Sequence, residues 1–150
     1  MRNVIVRVMR EDDLSEVFRL GRQVFAEKGD ELCLPWREGD VAGILADYLD
    51  ISLIAAAAKV VVGFCIGALF PENGRTSARI LWLGVREGPE RGAIAAMLVE
   101  GFIRNCAPRC NGRIVASVHP DDGPILAALE KNRFTERNRL LIMDAYFADK

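Results

Sequence analysis

Val4, Val6 and Val8 recur at every second position at the start of the chain, the period-2 pattern of a strand. The period then changes. Leu14, Val17, Phe18, Gly21, Val24 and Phe25 follow one another at i, i+3, i+4 spacing, which predicts an amphipathic helix over residues 13–28. Asp12 and Asp13 supply its N-cap chemistry, with Glu16 three residues after Asp13. Residues 29–39 (GDELCLPWREG) read as a loop, and Val41, Ile44, Leu45, Tyr48 and Leu49 mark one face of a second helix over 40–50. Two apolar runs at 52–57 and 60–70 read as strands joined by a tight turn at Ala58-Lys59. Pro71-Glu72-Asn73-Gly74 is a turn, and 78–86 a further strand.

The segment 91–106 is apolar nearly all round, broken chiefly by Glu100, Arg104 and Asn105, as expected of a helix pressed onto a sheet. Residues 113–118 (RIVASV) predict a strand, and Pro124 suits the first turn of a helix running to Asn132. Two strands, 134–137 and 140–147, close the chain. The predicted order is β-α-α-β-β-β-α-β-α-β-β in one domain, 1–150. That is an α/β (α+β) protein with a mixed sheet and helices on both faces.

Composition narrows the function. The chain has 150 residues, 51% hydrophobic and 27% charged, enough for one buried core. Twenty basic residues against 21 acidic ones give a net charge of −1, which offers no electrostatic case for nucleic acid. No apolar run is long enough to span a bilayer, so no membrane partner is expected. The charges at Arg7, Arg10 and Glu11-Asp12-Asp13 argue against a signal peptide, and a cytoplasmic protein is expected. Cys33, Cys65, Cys106 and Cys110 lack C-x-x-C spacing and are accompanied by one histidine, so free thiols are expected and no metal site.

The stretch Val85-Arg86-Glu87-Gly88-Pro89-Glu90-Arg91-Gly92-Ala93-Ile94-Ala95 leaves a strand, turns, and enters a helix. Free N–H groups in a helix's first turn, with the helix dipole behind them, make such a turn a phosphate cradle. The element order and this stretch together resemble the GNAT superfamily of N-acetyltransferases, over almost the whole chain. The resemblance implies a mostly antiparallel central sheet and acetyl-CoA as co-substrate. The family's cofactor motif, a strand-end Val followed by Q/R-x-x-G-x-G/A, falls on Val85 and on Glu90-Arg91-Gly92-Ala93-Ile94-Ala95. Leu83, Val85, Glu90, Arg91, Gly92, Ala93, Ile94 and Ala95 are thus candidate cofactor-binding residues, the Val85 N–H being a candidate partner of the thioester carbonyl. Glu90 replaces the usual Gln or Arg, and Ala93 replaces a glycine, adding a methyl against the ligand.

A second family stretch, N-x-x-A-x-x-L-Y-E-K-x-G-F, falls on residues 122–134, with Glu130, Lys131 and Phe134 matching. Its asparagine is Asp122 here, also a candidate cofactor contact. Its tyrosine, which often donates a proton to the departing thiolate, is Leu129, and Arg133 replaces a glycine. Acetyl transfer needs a base for the amine and donors for the oxyanion. The strand before the turn carries no carboxylate. His119, where the sheet would splay around the thioester, is the candidate base, histidine being the side chain suited to proton transfer near neutral pH. Tyr146 is a candidate acid. Loop 29–39, with Asp30, Glu31, Trp36, Arg37 and Glu38, and Asp40 just beyond, would border the acceptor, its acidic groups and an exposed indole attracting a cationic amine.

The resemblance implies an acetyl-CoA-dependent N-acetyltransferase acting on a primary amine, small molecule or peptide, by direct transfer in a ternary complex. The alternative, favoured by Leu129 and Ala93, is a catalytically inactive GNAT-fold CoA-binding sensor or protein-interaction module. The apolar run Leu140-Leu141-Ile142-Met143 makes a second copy of the chain a candidate partner.

Overall fold

A computed structural model of the chain describes residues 3–25 and 34–147. In chain order the elements are β1 (Val4–Val8), a single 3-10 turn (Glu11–Asp13), α1 (Leu14–Phe25), α2 (Glu38–Tyr48), β2 (Leu53–Ala57), β3 (Val60–Glu72), β4 (Arg75–Val85), α3 (Arg91–Cys106), β5 (Ile114–Ala116) and α4 (Gly123–Lys131). The strands form one five-stranded sheet in the order β1-β2-β3-β4-β5. The first four pair antiparallel, and β5 joins β4 in parallel.

Alternation in the buried strands divides the core in two. Leu53, Ala55, Val62, Ala78 and Ile80 point to the face covered by α3 and α4, where they meet Ile94, Leu98, Phe102, Ile125 and Leu129. Ile54, Ala56, Phe64, Ile66 and Trp82 point to the other face, against Val17, Leu20 and Phe25 of α1 and Val41 and Leu45 of α2. The α1 entry is fixed by Asp13, whose buried carboxylate accepts the Arg10 N–H at 2.8 Å and both Arg7 Nη groups at 2.8 Å. Those Arg7 hydrogen bonds hold the Asp13 carboxyl below the usual carboxylate range, against the opposing effect of burial.

The mixed sheet with helices on both faces is present. The tight turn at Ala58-Lys59 is there too, both residues having positive φ. The predicted closing strands are not formed. Residues 134–147 carry no strand, and Leu140, Leu141, Met143, Tyr146 and Phe147 are exposed. The physical reason is the want of a ladder partner. β5 is three residues long, it forms the sheet edge, and its one neighbour among the described residues is β4. Residues 135–139 (TERNR) offer no apolar face with which to hold a segment against that edge.

No helix among the described residues is long and apolar enough to cross a membrane. Cys65, Cys106 and Cys110 are free thiols, and Cys33 lies outside the described residues. Burial pushes Cys106 up to about 12, Cys110 adding to the effect, and raises Cys65 further still. Among the described residues no group of three or more His, Cys, Asp or Glu is placed to hold a metal ion.

Candidate active site

β4 carries a bulge. Gly67 faces Ile80 and Ile66 faces Trp82, so Leu81 is left without a partner on β3. The bulge reverses which face β4 presents: Ala78 and Ile80 belong to the α3 side of the core, Trp82 to the α1 side. It sits where β4 and β5 part, since their pairing covers only Ala78–Ile114, Arg79–Val115 and Ile80–Ala116. Beyond it the two strands diverge into a cleft of about 600 Å³. Leu81, Trp82 and Leu83 line one wall, and Ser117, Val118 and His119 the other.

At its far end the cleft reaches the first turns of α3 and α4, where Arg91, Asp122 and Pro124 line it. A second hollow of about 460 Å³, over the turn Arg86–Glu90, shares Arg91 with the cleft and is also lined by Ile94. Gly88 has φ +150, a conformation that L side chains rarely adopt, and it shapes this turn. Among the described residues no side chain caps α3, whereas Asp122 caps α4 by accepting the Ile125 N–H at 3.4 Å. The Arg91 N–H donates to the Gly88 carbonyl at 3.2 Å, so the first-turn N–H groups that α3 offers an anion are those of Gly92 and Ala93, and the helix dipole adds positive potential there.

The candidate cofactor residues divide by position. Leu83, Arg91 and Asp122 line the cleft, and Glu90 and Ile94 the adjoining hollow. Gly92 lies against Pro124, and a Cβ there would meet it at ordinary contact distance, 3.6 Å. Ala93 is exposed on the first turn, while Ala95 and Val85 are buried in the core, Val85 opposite Gly63 on β3. Arg91 and Asp122 are joined directly, Nη1 to Oδ1 at 2.8 Å and Nη2 to Oδ2 at 2.9 Å.

His119 lines the cleft as expected, and its Nδ1 accepts the Asp121 N–H at 3.1 Å. A ring nitrogen that accepts carries no hydrogen, so in neutral His119 the proton sits on Nε2. Leu129 also lines the cleft. Tyr146 is not brought there; it stands 85% exposed on the unpaired tail.

The acceptor loop is corrected in part. Trp36 is not an exposed indole. It packs on Phe25 and Phe64 at 5.4 Å between ring centroids and edge-on to Trp82 at 5.8 Å. Gly21 makes room for it: a Cβ there would lie 2.0 Å from the indole. The ring anchors this loop to α1, consistent with aromatic pairing in a core. Glu38 is paired with Arg22. Asp30 and Glu31 lie outside the described residues. Leu34 does border the cleft, and its carbonyl accepts from Trp82 Nε1 at 3.2 Å. Sequence reasoning missed Arg79 and Ser117 in the cleft lining. Nothing in an apolar strand pattern marked either of them.

No protein-family model matches the sequence, and no curated protein matches it. Solved structures do match. The chain superposes on a chain of the NatC complex bound to Gag peptide and CoA with TM-score 0.76 at 19% identity, covering 92% of this chain and 88% of that one. AAC(6')-Iy in complex with the bisubstrate analogue CoA-S-monomethyl-acetylneamine gives TM-score 0.72 at 18% identity, covering 96% and 99%. An aminoglycoside acetyltransferase from an uncultured soil metagenomic sample, in complex with sisomicin, gives 0.71 at 15% identity, covering 97% of each chain. The chain has the fold of the GNAT acetyltransferases.

Proposed function

We propose that the chain binds acetyl-CoA in the β4/β5 cleft and transfers its acetyl group to a primary amine, on a small molecule or a peptide, within a ternary complex. One observation carries this reading: the cleft opened by the β4 bulge runs to the uncapped N-terminus of α3. A long ligand with a thioester at one end and a pyrophosphate toward the other matches both ends of that trough. The open N–H groups of α3 would hold the pyrophosphate, with Gly92 leaving the backbone accessible, Ala93 adding one methyl at the turn, and Leu83 flanking the ligand's path. Bound acetyl-CoA supplies the activated acetyl group. The fold's likeness to NatC and the aminoglycoside enzymes supports an amine acceptor.

The chain's own contribution is chiefly positioning, with backbone polarisation near the end of β4. His119 is the candidate for handling the proton at the cleft. To act as a base through Nε2, its ring must release the Asp121 N–H. The inactive-module reading draws on Leu129, a cleft-lining side chain with no proton to donate, and on Tyr146 standing apart from the cleft. A homodimer is part of the proposal, supported by the free β5 edge and the exposed apolar run 140–143 of the same chain.

An acetylation assay with acetyl-CoA over a panel of diamines, aminoglycosides and peptide N-termini tests the activity. Thiol release that depends on one acceptor class is the expected result. Tight CoA binding with no turnover on any amine would favour the sensor reading.

A further inference from the structure

Arg91 opens α3 and lines both the cleft and the hollow over the turn. Its side chain is 12% exposed and Asp122's is 18% exposed, so their pair is largely shielded from solvent. The bond ties together the first turns of two helices whose partners are separated by 31 positions in sequence. A guanidinium bound through both Nη groups keeps its outer hydrogens and its Nε–H. Nε is buried with no hydrogen-bond partner among the described residues, the Glu87 carboxylate lying 3.8 Å away.

The pair brings a cation and an anion together beside α3, so their charges largely cancel there. Glu87 and Glu90 add negative charge along the same turn. Arg86, exposed on that turn, lines the hollow as well, so an anion arriving at α3 meets backbone N–H groups, a dipole and that arginine, while the charge of Arg91 is shared with Asp122. This resolves the apparent mismatch of a carboxylate at a phosphate site, because Asp122 is compensated by Arg91. It also has a consequence for binding.

We propose that Asp122 is a positioning residue that sets cofactor affinity through Arg91, fixing the guanidinium between α3 and α4 and neutralising it toward the pyrophosphate. The inference rests on the acetyl-CoA reading of the cleft. Loss of the Asp122 charge alone frees Arg91's charge for the phosphate and tightens binding. Loss of Arg91 alone takes away the cation that offsets the Asp122 charge toward the phosphate and weakens it.

Calorimetric titration of CoA into the wild type, Asp122→Asn, Arg91→Gln and the double variant tests this, with melting curves confirming that each is folded. Asparagine caps a helix as well as aspartate, so Asp122→Asn removes charge while keeping the cap. Its Kd falls about three- to tenfold at low salt, and the gain shrinks as ionic strength rises. Arg91→Gln raises Kd about tenfold or more, and the double variant returns to within about threefold of wild type. A merely structural role for Asp122 would not produce a salt-dependent tightening. Weaker binding by Asp122→Asn, or a double variant as weak as Arg91→Gln, overturns the proposal. Wild type that binds CoA without these shifts removes this inference alone; wild type that does not bind CoA removes the acetyl-CoA reading, and this inference with it.

Discussion

The antiparallel half of the molecule and its C-terminal third solve the same problem differently. Strands β1 to β4 form long antiparallel ladders, and helices cover both faces of the sheet they build. β5 holds β4 over only three residues, and the segment after α4 pairs with nothing described. Within the antiparallel half, β2, β3 and β4 each have a neighbour on both sides and core packed on both faces. Where the pairing stops short, a cleft opens. The cleft exists because the second region is incomplete by the standard of the first.

Substitutions should separate the two regions, the largest effect coming from the first. Phe64 and Phe102 are fully buried on opposite faces of the sheet. Phe64→Ala or Phe102→Ala is expected to cost about 3–5 kcal/mol in chemical denaturation, whereas Leu141→Ala on the exposed tail stays within about 0.5 kcal/mol. A tail variant as costly as a core one would mean that 140–147 is packed in solution, and the contrast would fail.

Next in size is the α1 entry. Asp13→Asn is expected to cost about 1–3 kcal/mol at neutral pH, because both Arg7 and the Arg10 N–H lose a charged acceptor. The sign with pH follows from the depressed carboxyl. Its stabilisation is complete above the unfolded carboxylate value, about 3.9, and is lost as pH falls through the lower folded value. The gap between wild type and variant therefore closes on acidification, as melting curves from pH 7 to pH 2 would show. A constant gap would remove the charge from the explanation.

Smallest in stability, but decisive for the tail, is Leu141→Glu. Folding should be unaffected within about 0.5 kcal/mol, while light scattering after gel filtration should show a dimeric wild type and a monomeric variant if 140–147 pairs between copies. A monomeric wild type would sink the homodimer.

The first nine predicted elements were legible because their apolar periods are long and their turns are marked by Gly, Pro and Asp. The last two strands were misread for a definite reason: Leu140-Leu141-Ile142-Met143 has strand composition, and composition does not supply a partner. The parting of β4 and β5 near His119 followed from the resemblance. Its cause, the bulge at Leu81, did not, since Ile80-Leu81-Trp82-Leu83 is apolar throughout and hides the phase change. The Arg91–Asp122 pair was equally invisible. Each residue was singled out by its own motif, but pairing across two helices is a property of the packed fold. Trp36 shows the converse, an aromatic in a polar loop that reads as exposed until Gly21 is seen to admit it.

The central claim is that the open N-terminus of α3, reached through the β4/β5 cleft, holds the pyrophosphate of acetyl-CoA. Gly92→Glu puts a carboxylate on that first turn at a position where a Cβ is tolerated. The direct measurement is calorimetric titration of acetyl-CoA into the wild type and this variant, each checked by melting. Saturable binding by the wild type, with about 2.7 kcal/mol of added stability at a hundredfold excess over Kd, and no binding by an equally folded Gly92→Glu protein, is the predicted result. Equal affinity in the two proteins, or a folded wild type that takes up no acetyl-CoA, would contradict it.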